Sequence, residues 1–369
     1  MNNILNYQNS FILTRYLYVY DEVKLALLLA LLEKRDESNF WAYELYYSGF
    51  KKELIEWLWT IYYDFFATLN PSFESYFLTK EKDFSDITIK IIVENLLIRS
   101  FNTDVFMLSK LVVKTDKLES IKSILTKIEL TQKIKEWIVT KDFKRIAEFI
   151  LSYDYITVEQ IGVYELFLDN FPNSIHKKEL NIKKFKKMMR CKPILINKIL
   201  LSKIMTLFVS KYGKSLYMRI TLEEIEIFKT VEPYTNKTRN WQFLNTVCKY
   251  PINENKYLGL FPLERNKIEN LRHAFNFDWL YYASKSPIWS ERIQLYKGIP
   301  DAATKNILFP SDDEFDDFHD RYNYEPDEQS RELKEKVVPA IINETTWIDF
   351  QKQYNTDGRV ILESECLLF

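Results

Sequence analysis

YLYVYDEVKLALLLALLEKR, Tyr16–Arg35, is the stretch whose reading decides the fold class. Leu17, Tyr20, Val23, Leu27, Leu28 and Leu31 recur at spacings of three and four, the period of a helix face. Outward from it the same signals repeat. Ser38 stands where it can cap a helix Asn39–Tyr47, and Gly49 sits where that helix would end. A helix Lys51–Leu69 stops before Pro71, and Ser85 opens another at Asp86–Arg99. Shorter helices are expected at Thr103–Val113, Leu118–Ile128, Thr131–Val139, Asp142–Ser152 and Val158–Asn170. Short helices in brief succession predict an all-α chain, a helical array or solenoid of antiparallel helices with no fixed-period repeat.

Ten of the eleven prolines lie at or beyond Pro172, which predicts a boundary near Phe171–Asn173. The expected organisation is an aromatic-rich helical array (1–172), a basic helical segment (173–232) and a more irregular C-terminal helical region (233–369). In that last region helices are expected near Glu264–Ser284, Trp289–Tyr296, Ser330–Ile342 and Thr346–Tyr354, an acidic loop in Asp312–Glu328, and a short strand or tail at Arg359–Phe369.

Composition excludes several classes. At 47% hydrophobic and 16% aromatic, the 369-residue chain is too apolar for disorder and long enough for a large core. Cys191, Cys248 and Cys366 are odd in number and far apart, which fits a reducing compartment better than a disulfide framework. The longest apolar run, Leu25–Leu32, is eight residues between Lys24 and Glu33, too short to cross a membrane, and Met1–Tyr7 lacks a basic leader. A soluble, intracellular protein is expected.

The strongest functional signal is charge. Lys177–Arg219 carries thirteen Lys/Arg and one acid, Glu179, a net of +12 in a chain of net −1. Part of the lysine excess is what A/T-rich codons produce. Within the stretch, Ile182–Arg190 is amphipathic: Lys183, Lys184, Lys186, Lys187 and Arg190 fall on one arc, Ile182, Phe185, Met188 and Met189 on the other. Lysines on one face supply the salt-sensitive, sequence-independent part of nucleic-acid binding. The next helix, Ile194–Tyr212, opens at Pro193, is apolar nearly all round and ends at Gly213. Asp312–Glu328 holds nine acids against Arg321.

Other motifs fail on inspection. Gly213-Lys214-Ser215 lacks the glycine five residues earlier that a phosphate loop needs, since Phe208 stands there. A calcium loop from Asp312 would need glycine at Asp317 and glutamate at Asn323. His176, His273 and His319 show no metal-ligand spacing with each other or with cysteine. No catalytic residue, metal, cofactor or small-molecule substrate is expected. The aromatic band Phe40–Phe77 reads as core, because Trp57 and Trp59 lie about 200° apart around a helix. Any part of it left exposed would form a docking groove.

The segment Phe40-Trp41-Ala42-Tyr43-Glu44-Leu45-Tyr46-Tyr47-Ser48-Gly49-Phe50, then Leu69-Asn70-Pro71-Ser72-Phe73, resembles a family of uncharacterised proteins of giant nucleocytoplasmic large DNA viruses of the mimivirus type. Tyr322-Asn323-Tyr324-Glu325-Pro326-Asp327-Glu328-Gln329 fits the same resemblance. It implies cytoplasmic virus factories and an A/T-rich genome, and assigns no functional residue. A helical array with a basic face is also similar in kind to the large scaffold subunit of the cap-binding translation initiation complex. That protein holds its partner through Tyr-x-x-x-x-Leu-apolar on a helix, a spacing matched here by Tyr20 and Leu25, followed by Ala26. The expected function is a non-enzymatic scaffold that binds nucleic acid, RNA ahead of DNA, and viral or host proteins. The alternative is a protein-interaction or virion structural protein with no nucleic-acid binding.

Overall fold

The computed structural model describes residues 11–35, 37–109, 127–151, 157–171, 180–209, 217, 220–221, 223–226, 270, 273–274 and 277–322. Most of these are helical. In chain order the helices are α1 (Tyr20–Leu32), α2 (Ser38–Tyr47), α3 (Lys51–Ile61), α4 (Phe73–Lys80), α5 (Asp86–Leu97), α6 (Asp104–Leu108), α7 (Lys127–Thr140), α8 (Phe143–Leu151), α9 (Thr157–Asp169), α10 (Ile182–Cys191) and α11 (Ile196–Leu207). After a single helical turn at Glu223–Glu226 come α12 (Trp279–Ala283), α13 (Pro287–Leu295), the strands β1 (Ile299–Asp301) and β2 (Asn306–Leu308), and α14 (Asp312–Tyr322). The helical class is as expected. The antiparallel pair β1–β2, with Ile299 opposite Leu308 and Asp301 opposite Asn306, is an addition that three-residue strands do not announce in a sequence.

The described residues form two compact units. One takes those within 1–57, 83–97 and 218–347, the other those within 58–82 and 98–217. The proline shift therefore does not mark the division. α9 and α10, on either side of Phe171–Asn173, belong to the same unit, where the Tyr164 hydroxyl donates to the Leu180 carbonyl at 2.7 Å.

In the first unit α1 packs on α2 and α5. α1 is buried on every side, which explains why its apolar residues exceed a single stripe. It starts at Tyr20 rather than Tyr16, because Leu13 and Val19 form a β-bridge and Leu17 takes a left-handed φ of 63°. α2 starts at Ser38 itself, with Glu37 in the cap position, so Ser38 does not cap it. α2 ends in a Schellman turn: Gly49 N–H donates to Tyr46 O at 3.0 Å and Phe50 N–H to Leu45 O at 3.1 Å. Gly49 sits at φ 94°, and a Cβ there would lie 2.5 Å from Pro287 Cβ at the start of α13. Ser85 caps α5 as its sequence position predicts, accepting from Thr88 N–H at 3.4 Å. A second core in this unit gathers Phe11, Leu13, Leu17, Val19, Trp279, Trp289, Ile293, Phe318 and Tyr322.

In the second unit α11 is the central element. It packs against α6, α8, α9, α10 and a π-helical turn, Tyr62–Phe66, that follows α3. The wide turn closes with Ala67 N–H donating to Tyr62 O at 2.7 Å. Trp59 stacks on Phe77 with ring centroids 3.9 Å apart, and its indole N–H donates to Glu81 Oε2. Trp57, in the first unit, is buried as well and donates to Lys24 O. Most large rings of the band Phe40–Phe77 are thus core within their own units, with Tyr47 and Tyr76 half-buried.

The segment Asp312–Tyr322 is a helix, not the acidic loop its charge suggests. Glu314 N–H donates to Ser311 Oγ at 3.5 Å, an N-cap contact, and the Ser311 hydroxyl in turn donates to the Glu314 carboxylate. Three acids in its first turn favour the helix dipole, while Phe318 and Tyr322 are buried. Gly213 and the helices expected at Leu118–Ile128, Ser330–Ile342 and Thr346–Tyr354 lie wholly or mostly outside the described residues, as does Arg359–Phe369, while the described part of Glu264–Ser284 holds α12.

Candidate nucleic-acid interface

α10 is built as its pattern predicts. The Asn181 side chain accepts from Lys183 N–H at 2.7 Å and starts the helix. Phe185, Met188 and Met189 are buried, with the Phe185 ring 4.5 Å from that of Tyr164 on α9. Opposite them Lys183, Lys187 and Arg190 are exposed, and Lys184 and Lys186 are half-buried. Among the described residues no ion pair involves Lys183, Lys186, Lys187 or Arg190.

The electrostatics of this helix are unfavourable on their own. Lys183/Lys187 and Lys186/Arg190 are like charges four apart, and Lys183/Lys186, Lys184/Lys187 and Lys187/Arg190 are three apart. Such pairs destabilise a helix by about 0.2–0.5 kcal/mol each at low salt. Lys183 and Lys184 also sit in the first turn, where the dipole disfavours cations. Apolar burial on one face holds the helix, and an anion on the other would relieve the repulsion.

The rest of the +12 stretch is not a continuous basic surface. Lys192 pairs with Glu81 and lies over the Trp59 ring, 5.2 Å from its centroid. Lys198 pairs with Asp64 at 2.5 Å, and Lys203 with Glu74 at 2.8 Å, all within the second unit. Glu74 also accepts from the Tyr63 hydroxyl at 3.0 Å. Burial, with Glu74 adding to it, holds that phenol well above its ordinary pKa. These partners are not findable by sequence spacing, because 111 to 134 residues separate them. Lys177, Lys178, Lys211, Lys214 and Arg219 lie outside the described residues.

Tyr20 and Leu25 do not form a presented docking motif. Leu25 and Ala26 are both 0% exposed, because α1 is enclosed all round. Tyr20 is half-buried with its ring 4.5 Å from Phe50. Among the described residues no group of three or more His, Cys, Asp or Glu could hold a metal ion. Likewise no helix there is long and apolar enough to cross a membrane. Cys191 is a free, exposed thiol at the end of α10. No protein-family model, curated protein or solved structure matches the chain.

Proposed function

We propose that the chain is a non-enzymatic helical scaffold that holds RNA through the outer face of α10. The carrying observation is that Lys183, Lys186, Lys187 and Arg190 share one face with no acid paired to them among the described residues, on a helix anchored by Phe185, Met188 and Met189. Lys184 lies on the same arc. Flexible ammonium groups in a row suit a phosphate backbone and carry little base specificity. The resemblance to proteins of giant DNA viruses supports a role in gene expression in the host cytoplasm, as a scaffold of the translation-initiation kind, and favours RNA over DNA.

Filter binding of single-stranded RNA across a salt series tests this. Lys183→Glu, Lys187→Glu and Arg190→Glu together should weaken binding at least about tenfold near 0.1 M salt and flatten the salt dependence. Equal affinity and slope in the variant would refute the assignment. The same series on DNA reports which polymer is preferred. The alternative, a protein-interaction or virion structural protein, predicts no RNA binding in the same series, and most of the aromatic band that would carry it is buried.

A further inference from the structure

Among the described residues of the first unit Arg15 and Arg292 are buried, and they differ in whether a carboxylate meets the guanidinium. Arg15 is 3% exposed, and its Nε donates to Glu44 Oε2 at 2.8 Å. Glu44 accepts the Tyr16 backbone N–H on its other oxygen at 3.0 Å, so each carboxylate oxygen already has a donor. Arg292, in the last turn of α13, is 9% exposed. Among the described residues it makes no ion pair and no hydrogen bond, and its Nη1 is buried without an acceptor. Its guanidinium carbon lies 4.5 Å from the Trp289 ring centroid and 5.2 Å from that of Tyr322.

Two aromatic faces orient a guanidinium but take none of its five N–H donors. Burying such a cation without a carboxylate is unfavourable, and in folded proteins the group is ordinarily paired. The backbone around it is fixed: Trp289 Nε1 donates to Thr14 O at 3.2 Å and Ile288 N–H to Ser48 O at 3.1 Å. Arg15 adds a second cation to the neighbourhood. Burial raises the Tyr16 hydroxyl above its ordinary pKa, while Arg15 and Arg292 both pull it down and Glu44 pushes it up.

We propose that Arg292 is the anchor of an oxyanion-binding site in the first unit, taking a phosphate or carboxylate group on its unspent guanidinium edge. The planar fork of donors matches the paired oxygens of either group. The stacked rings hold that fork in place before the ligand arrives, so little side-chain entropy is lost on binding. Arg292 and the lysines of α10 belong to different units.

The test is thermal unfolding of the full chain, with inorganic phosphate and acetate each titrated against chloride at matched ionic strength and pH. At ten times its dissociation constant the recognised anion should raise Tm by about 3 °C in a saturable way. Whichever anion saturates identifies the group recognised. Arg292→Met should abolish the shift, Arg292→Lys should keep part of it, and Lys183→Glu/Lys187→Glu/Arg190→Glu should keep all of it. If phosphate, acetate and chloride act alike on the wild type, the proposal is overturned. It is overturned equally if Arg292→Met keeps the shift. Should Arg292→Met fail to fold, the wild-type titration and Arg292→Lys still decide.

Discussion

Lys203 Nζ lies 2.8 Å from Glu74 Oε1, both side chains almost fully buried, although 129 residues separate them. Burial is tolerated because the carboxylate also accepts the Tyr63 hydroxyl. Removing one partner leaves a bare charge in the core, so Lys203→Met or Glu74→Gln should each destabilise by about 3–5 kcal/mol. Replacing all the polar groups together, as Lys203→Met/Glu74→Leu/Tyr63→Phe, should return to within about 2 kcal/mol of the wild type. Urea denaturation of the set checks this. Single variants no weaker than the triple one would show that the pair is not a coupled unit.

Gly49 is required for two separate reasons. Its φ of 94° disfavours any side chain, and a Cβ would press on the Pro287 ring at 2.5 Å. Gly49→Ala should therefore cost about 2–4 kcal/mol, seen as a lower Tm. The opposite holds at Lys141, an exposed residue at φ 55° in the turn after α7, where Asp142 N–H donates to Trp137 O at 2.9 Å. Lys141→Gly should stabilise by about 1 kcal/mol. With six glycines in 369 residues, lysine fills this left-handed position, and also those at Lys34, Lys297 and Lys305. A loss of stability in Lys141→Gly would show that the lysine makes up for its backbone strain.

What was legible in the sequence, and what was not, divides along physical lines. α10 was legible because Phe185, Met188 and Met189 repeat at helical spacing and all three are buried. The acid-rich run from Asp312 hides α14 because its charge outweighs the helix signals, though Ser311-x-x-Glu314 and the spacing of Phe315, Phe318 and Tyr322 are present. The pairings of Lys192, Lys198 and Lys203 left no mark, since each depends on acids more than 100 residues away. The same holds for Arg292, whose isolation is a property of the folded neighbourhood alone.

Lys24 gives a pH dependence with a definite sign. Its ammonium is buried, 4.6 Å from the Trp57 ring centroid and 5.4 Å from that of Tyr20. Burial pushes its pKa down to about 8, while Asp21, Glu53 and Glu56 hold it from falling further. The unfolded chain keeps this proton to about pH 10.4. Below pH 8 both states are protonated, and the fold bears the full cost of the buried charge. Above pH 8 only the unfolded state binds the proton, so stability from this group rises with pH. Lys24→Met removes the group, and its advantage over the wild type should shrink by about 2 kcal/mol between pH 7 and pH 9.5. Urea unfolding of both proteins at the two pH values measures it. A difference independent of pH would contradict the assignment.

Neutralising the basic face of α10 separates stability from binding. Lys183→Gln, Lys187→Gln and Arg190→Gln together remove every like-charge pair three or four apart on the helix. The buried anchors Phe185, Met188 and Met189 are untouched. Folding stability at low salt should therefore rise by about 1 kcal/mol, and the gain should fade at high salt, where the repulsion is screened anyway. RNA affinity should move the opposite way. The slope of log affinity against log salt should lose about two, as expected for three lost contacts to single-stranded phosphate. Opposed shifts identify a face kept charged for a ligand. If stability falls together with binding, the three side chains support the fold instead, and the RNA assignment loses its ground.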